Sequence, residues 1–427
     1  MIPGILAKRV TFPNLAMKYP FLLLVWFLFS GTGYMCARAQ SITLSGTVAD
    51  QETGEPLEFA TIGIKGKPLG TISNAQGDFD FHLPAQYRNE TLVVMYLGYK
   101  SYEAPLWTLL DTQPVNIRLE KSTYLLNEIV VKDSLAAGEI LTISLSRVDQ
   151  NYPDKPFILD AFYRDAKQVG GTYISLLEAA IKIFDEDYRA PRNKSKLRER
   201  VALLEVRRSL GYGNKFTTYF DESNLLEELL LNNNVRYRQF PEESVFFESL
   251  IRERDSYYNG HEVFVVAHYE NYFLRVYIDK ATYAIIHLEY ENKAEDVIGR
   301  KRGMERRFVG IKRTLDFKQY EGKFFLNYIL LDSKINWYDL RSGKLRFETV
   351  LNQQLLVNHV YTNTTERIST YEKMRSYGLQ YQDQPYNKAF WEKYNVIKET
   401  PLDKRIREDL EKREGPLEKQ FESGGLL

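Results

Sequence analysis

Along residues 41–120, apolar and polar positions alternate with the two-residue period of strands whose side chains point to opposite faces. Ile42, Leu44 and Val48 share one parity and run into Asp50-Gln51-Glu52-Thr53-Gly54, a polar turn in which Gly54 can take a positive φ. After Pro56 a second run carries Leu57 and Phe59, then Ala60, Ile62 and Ile64, and closes at Gly66. A third passes from Gly70 through Asn74 and Gly77 into Phe79, Phe81 and Leu83, with Asp80 and His82 facing the other way. Further runs cover residues 92–97, 99–104 and 115–119. About seven short strands, with turn signals every 8–12 residues or so, predict a small β-sandwich.

Residues 133–240 are mixed. An aromatic strand-like stretch covers residues 157–163, residues 172–184 alternate weakly, and 189–200 read as a basic loop. Asp185-Glu186-Asp187 reads as a solvated acidic turn, since no calcium-loop array with a sharp glycine turn accompanies it. Residues 224–232 form the best short helix, with Asp221 or Ser223 as cap. From 244 to 362 the pattern is almost purely strand, in residues 245–253, 262–268, 272–279, 284–291, 307–317, 324–338 and 345–361. Consecutive hairpins of this length predict one broad, curved antiparallel sheet. In the charged tail, Thr400 can cap a helix from Pro401 whose Leu402, Ile406 and Leu410 form a narrow stripe for docking on the chain's own domain.

The order G-x-V-x-D, T-G-x-P-L-x-x-A-x-I-x-I-x-G, G-T and N-x-x-G-x-F-x-F across residues 44–83 resembles the carboxypeptidase regulatory-like domain, a transthyretin-like sandwich. That family occurs beside metallocarboxypeptidases and as an N-terminal extension of TonB-dependent receptors of Gram-negative envelopes. The resemblance covers roughly residues 41–120 and implies a fold and a setting, without an activity. Residues 124–132, with Glu128-Ile-Val-Val131, resemble the short segment that follows the module in those receptors. About 295 residues remain beyond it, too few for a plug and a barrel of about 22 strands. Residues 257–267 and 276–286 faintly resemble the outer-membrane lipoprotein carrier fold, in which an unclosed barrel wraps an apolar cavity.

Lys8, Arg9 and Lys18 precede a nine-residue apolar run, Phe21 to Phe29, and Ala37 and Ala39 stand where a signal peptidase reads, so residues 1–39 are expected to be a secretory signal. Met17 is an alternative start. Cleavage after Ala39 would remove Cys36, the only cysteine, and leave no disulfide. The four basic and no acidic residues before Gln40 would leave 53 basic against 57 acidic residues, which makes no electrostatic case for nucleic acid. The expected domains are a sandwich over 40–121, a linker or strand over 122–140, a β-rich domain over 141–375 and a partly helical tail over 376–427.

Catalytic chemistry finds little support. A metallocarboxypeptidase needs His-x-x-Glu and a later histidine for zinc, and none of His82, His261, His268, His287 or His359 is followed by Glu at the third position. Gly-x-Ser-x-Gly elbows, P-loops and Gly-x-Gly-x-x-Gly fingerprints are absent from the sequence. The nearest approaches, His261-Glu262 and His287-Leu-Glu289, read as strand residues. No catalytic, metal or cofactor residue is selected. The reading is a mainly β, secreted, non-catalytic protein of the periplasm or outer-membrane periphery, a seven-stranded transthyretin-like sandwich followed by a half-barrel-like sheet with a few helices. It would bind an apolar ligand or an envelope partner, with Phe264, Tyr272, Phe273, Tyr277, Phe325 and Trp337 as candidate pocket lining. The alternatives are a structural accessory of an outer-membrane assembly without a cavity, and a metal-dependent peptidase that lacks a recognisable zinc motif.

Overall fold

The computed structural model describes residues 41–122, 135–213, 216–220, 224–374, 378–382, 384–398 and 401–424, all within one compact unit, Ser41–Leu427. The expected signal with Ala37 and Ala39, and the segment 124–132, lie outside the described residues.

Strands β1 (Ser41–Asp50), β2 (Thr61–Ile64), β3 (Gly70–Ile72), β4 (Asp78–Pro84), β5 (Thr91–Met95), β6 (Tyr102–Pro105) and β7 (Val115–Leu119) form the N-terminal module. Its three-stranded sheet runs β4-β1-β7 and its four-stranded sheet β3-β2-β5-β6. Alternation explains the packing: Leu44 and Val48 from β1, Phe79, Phe81 and Leu83 from β4, and Val115, Ile117 and Leu119 from β7 all enter one core. The turn after β1 is built by Asp50, whose carboxylate accepts from the backbone N–H groups of Glu52 (2.8 Å) and Thr53 (2.9 Å) while Gly54 takes φ +72°. These bonds, with that from the Tyr99 hydroxyl and the Lys121 ammonium, hold the Asp50 carboxyl well below the usual carboxylate range.

The larger part is an 11-stranded open antiparallel sheet. Its members are β8 (Phe157–Val169), β9 (Thr172–Asp185), β10 (Arg200–Arg208), β11 (Ile251–Arg252), β12 (Ser256–Tyr258), β13 (His261–His268), β14 (Phe273–Asp279), β15 (Ile285–Lys301), β16 (Met304–Tyr320), β17 (Lys323–Asp339) and β18 (Leu345–Tyr361). The order is β10-β9-β8-β18-β17-β16-β15-β14-β13-β11, with β12 beside β13. Hairpin succession accounts for most neighbours; the β18–β8 pairing brings the end of the run back onto its start.

Both faces of this sheet are covered. On one, short helices including Ala137–Ser146, Leu225–Leu231 and Ser244–Glu248 pack Ile140, Leu141, Leu229 and Phe246 onto Leu177, Val276, Leu315 and Leu355 in the main core. On the other lie the module and the C-terminal tail, where Ile72 of the module, Phe162, Tyr328 and Leu356 of the sheet, and Trp391 and Ile397 of the tail form a second cluster. A central strand such as β9, covered on both sides, therefore reads as a nearly continuous apolar run. The tail helix Pro401–Glu414 docks Ile406 and Leu410 on Ala166, Tyr173 and Leu176, and Asp409 accepts the Tyr173 N–H at 3.0 Å.

Several local expectations are corrected. Residues 245–253 are the helix Ser244–Glu248 followed by the two-residue β11, not one strand. The helix Leu225–Leu231 is capped by Asn224, whose side chain accepts from the Glu227 N–H at 3.2 Å. Asp185 is not solvated. It is buried beneath Arg236, whose guanidinium donates to both carboxylate oxygens. The second module run does not continue from Leu57 into Ile64: Phe59 takes φ +59° and β2 starts only at Thr61.

Candidate functional site

Where the module meets the large sheet, a cleft of about 710 Å³ remains open. Module residues Glu58, Phe59, Asn74, Gln76 and Tyr96 form one wall, strands β14 to β18 the other, and Ile397 and Asp403 of the tail close one end. The left-handed backbone at Phe59 turns its ring out of the module onto Tyr328, with centroids 6.0 Å apart, so the module's own kink shapes this wall.

The sheet wall is polar at its centre. His287, on β15, has its Nδ1 3.0 Å from Asp316 Oδ1 and its Nε2 3.7 Å from Glu289 Oε1. Burial disfavours the charged imidazole, but its bonds to Asp316 and Glu289 outweigh burial and lift its pKa to about 9. The other Asp316 oxygen accepts from Asn327 Nδ2 at 2.8 Å, and the same amide donates to Thr61 Oγ1 of the module at 3.0 Å. A buried chain, His287–Asp316–Asn327–Thr61, therefore crosses from sheet to module. Arg275 reaches Glu289 (3.4 Å) and Glu253 (2.9 Å), and Glu289, despite its burial, is held below its ordinary value by the facing His287 and Arg275.

Beside this chain Lys318 is half-buried, its Nζ donating to the Leu69 carbonyl at 3.4 Å. Burial pushes its pKa down to about 8, with the Asp316 charge opposing the fall. Gly63 makes room for it, since a Cβ there would stand 2.4 Å from Lys318 Nζ. Along β18, Asn352 Oδ1 and Gln354 Oε1 border the cleft as buried acceptors without a hydrogen-bond partner among the described residues. Such acceptors are costly to bury unless a donor reaches them.

Of the six aromatics expected to line a pocket, Phe273 and Tyr277 border the cleft. Phe264 lies in the main core with Lys280 Nζ 5.1 Å above its ring. Phe325, packed edge-on against Phe157 at 5.4 Å, borders two smaller cavities of about 20 and 240 Å³. Tyr272 is half-buried between His268 (4.6 Å) and Tyr290 (5.4 Å). Trp337 is buried against Tyr219 and Phe347 and donates from Nε1 to Thr349 Oγ1 at 3.0 Å. The polar residues of the cleft were not singled out by sequence, apart from His287 and Glu289, noted as a pair on one strand. Among the described residues no three His, Cys, Asp or Glu side chains come together as a metal site. No described helix is long and apolar enough to cross a membrane.

Residues 44–131 match the model of the CarboxypepD_reg-like domain, in agreement with the sandwich. A curated relative is the TonB-dependent receptor SusC of Bacteroides thetaiotaomicron, 35% identical over 95 residues, which are 22% of this chain and 9% of the receptor. The chain thus spans under a tenth of the length of that relative. Among solved structures, the MucA/MucB complex of Pseudomonas aeruginosa is similar at TM-score 0.20 and 10% identity, over 51% of this chain and 93% of that one. A putative membrane-associated protein from Bacteroides fragilis is similar at TM-score 0.15 and 10% identity, over 75% and 99%. With such scores neither likeness defines the larger sheet, whose description rests on its own strand pairing.

Proposed function

We propose that this chain is a non-catalytic, secreted envelope protein that binds a polar ligand or partner segment in the cleft between its regulatory-like module and its large sheet. The observation that carries the reading is the pair of buried acceptors without a partner among the described residues, Asn352 Oδ1 and Gln354 Oε1, on residues lining a cleft of about 710 Å³ that also presents Glu58, Glu291 and Asp332. The acceptors and carboxylates take N–H or O–H donors of a ligand, Arg164, Arg275 and Lys312 on the same lining take its acceptors, and Phe59, Tyr96, Phe273, Tyr277 and Tyr290 offer ring faces for its apolar parts. The cleft therefore suits an amphipathic ligand better than the wholly apolar one expected from the strand pattern.

The matched module supports an envelope setting, as it occurs in a TonB-dependent receptor. A non-catalytic role is supported by the cleft's own groups: His287 faces two carboxylates, with its base lone pair engaged by a proton at neutral pH, and among the described residues no hydroxyl or thiol nucleophile is held against it. Native mass spectrometry of the chain isolated from its own envelope tests the reading. Bound mass in the wild type that disappears in Gln354→Leu, with the fold retained, is the expected result. Identical bound mass in both proteins, or none in either, contradicts it.

A further inference from the structure

The outer ends of β15 to β18 leave the main core, with Trp337 of β17 still buried there against Tyr219 and Phe347. Ile285 to Leu288 at the start of β15 are buried, whereas Glu295 to Ile298 are exposed, and the matching ends of β16, β17 and β18 extend with them. The β15–β16 and β17–β18 turns meet at the far end, where the Leu340 N–H donates to the Gly303 carbonyl at 3.2 Å. Residues 295–307 and 338–346 carry eight basic side chains against four acidic ones, in a chain with 57 of each. Two of these acids are occupied, Glu305 by Arg307 at 2.8 Å and Asp339 by Arg346 at 2.9 Å. Arg300, Arg341 and Lys344 are exposed and make no ion pair among the described residues. Interleaved with them, Val297, Ile298, Leu340 and Leu345 are 56%, 43%, 43% and 51% exposed.

A surplus of cations beside exposed aliphatic side chains on a protruding pair of turns matches a planar anionic surface with an apolar layer beneath it. An acidic protein partner would complement the charge but leave four aliphatic side chains without a pocket, and none of the three cavities reaches this end. We infer that the paired tips dock the protein on an anionic phospholipid bilayer, with Arg300, Arg341 and Lys344 at the headgroup phosphates and Leu340 and Leu345 in the headgroup layer. The remainder of the chain is correspondingly acidic, so the same surface repels it and orients the cleft away from the lipid. This inference is independent of what the cleft binds.

Flotation of the full mature chain with vesicles containing phosphatidylglycerol, and with vesicles of phosphatidylcholine alone, tests it. The expected result is binding to the first only, weakening as salt rises. In the Arg300→Gln, Arg341→Gln, Lys344→Gln triple variant affinity falls by about a hundredfold, at roughly fivefold per basic side chain near an anionic surface. The thermal midpoint should not move, because these three side chains make no ion pair among the described residues. Leu340→Asn with Leu345→Asn should weaken the salt-resistant part of the binding. No vesicle binding, equal binding to both vesicle types, or full binding by the triple variant overturns the inference, as does capture by an acidic protein without affinity for vesicles.

Discussion

Asn395 and His82 hold each other by two hydrogen bonds: Asn395 Oδ1 accepts from the His82 N–H at 2.7 Å, and Asn395 Nδ2 donates to the His82 carbonyl at 2.9 Å. His82 belongs to β4, the edge strand of the three-stranded sheet, so an amide from the far end of the chain takes the place of a neighbouring strand. Lys398 adds an ion pair with Asp80 at 3.0 Å, and the Asn74 side chain donates to the Lys398 carbonyl at 3.3 Å. The tail thereby fastens the module to the large sheet and closes one end of the cleft.

Asn395→Ala removes both bonds and leaves a half-buried strand edge unpaired. We expect a loss of about 2 kcal/mol, read as a lower urea midpoint with an unchanged slope, and faster cleavage of the tail by protease.

Trp391 contributes the apolar half of the same attachment, standing edge-on to Phe162 at 6.4 Å with the Arg207 guanidinium 4.4 Å from its ring. Trp391→Ala should cost about 3–5 kcal/mol in chemical denaturation, and Trp391→Phe much less.

Gly63→Ala would place a methyl 2.4 Å from Lys318 Nζ and 2.9 Å from the Leu69 carbonyl. Overpacking of this kind costs about 1–3 kcal/mol. Because the lysine is the nearer obstacle, the cost should shrink in a Lys318→Met background, which a double-mutant cycle would measure.

Stability should fall as pH rises above neutrality. His287 binds its proton more tightly folded, at a pKa of about 9 against the ordinary 6.5, so its contribution is complete below 6.5 and is lost through 9. Between about pH 7 and 8 this amounts to about 1 kcal/mol. Lys318 acts in the opposite direction: its pKa, lowered from 10.5 to about 8, means the folded state binds fewer protons, and stability is regained as pH rises through that range. Burial raises Glu199 to about 7, so its own loss falls between its ordinary 4.5 and that value, largely below the His287 window. Urea unfolding of the wild type and His287→Gln across this range should show a falling midpoint in the first and a flat or rising one in the second.

The module was legible because its strands bury one face: Phe79, Phe81 and Leu83 on β4, and Val115, Ile117 and Leu119 on β7, alternate without interruption. Even the kink left a trace, since apolar parity changes between Phe59 and Ala60 where φ turns positive. The long hairpins were legible for the same reason, though β15 and β16 were drawn short because their outer halves are exposed and lose the apolar signal. The helix Ser244–Glu248 is a single turn between strands, too short for its period to register.

The cleft was hidden by a different effect. Alternation separates inward from outward residues but cannot tell an outward face bathed in water from one facing another part of the chain. His287 and Glu289 read only as strand residues, nothing in the pattern marks Arg275 or Asp316, and only the arrival of the module across Thr61 makes them a site. Conversely, Phe264 was an apolar wall in the pattern and lies in the core beneath the helices.

The central claim is that ligand or partner contact occurs in the cleft between module and sheet, and photo-crosslinking from within the living envelope tests it most directly. A photoreactive phenylalanine analogue at Tyr290, on the cleft wall, is compared with the same analogue at Tyr371, whose side chain is 99% exposed elsewhere. The account predicts a discrete adduct from position 290 that is lost when Gln354→Leu is added, and none from position 371. An adduct from position 371 alone, or one from 290 that survives the loss of Gln354, would contradict it.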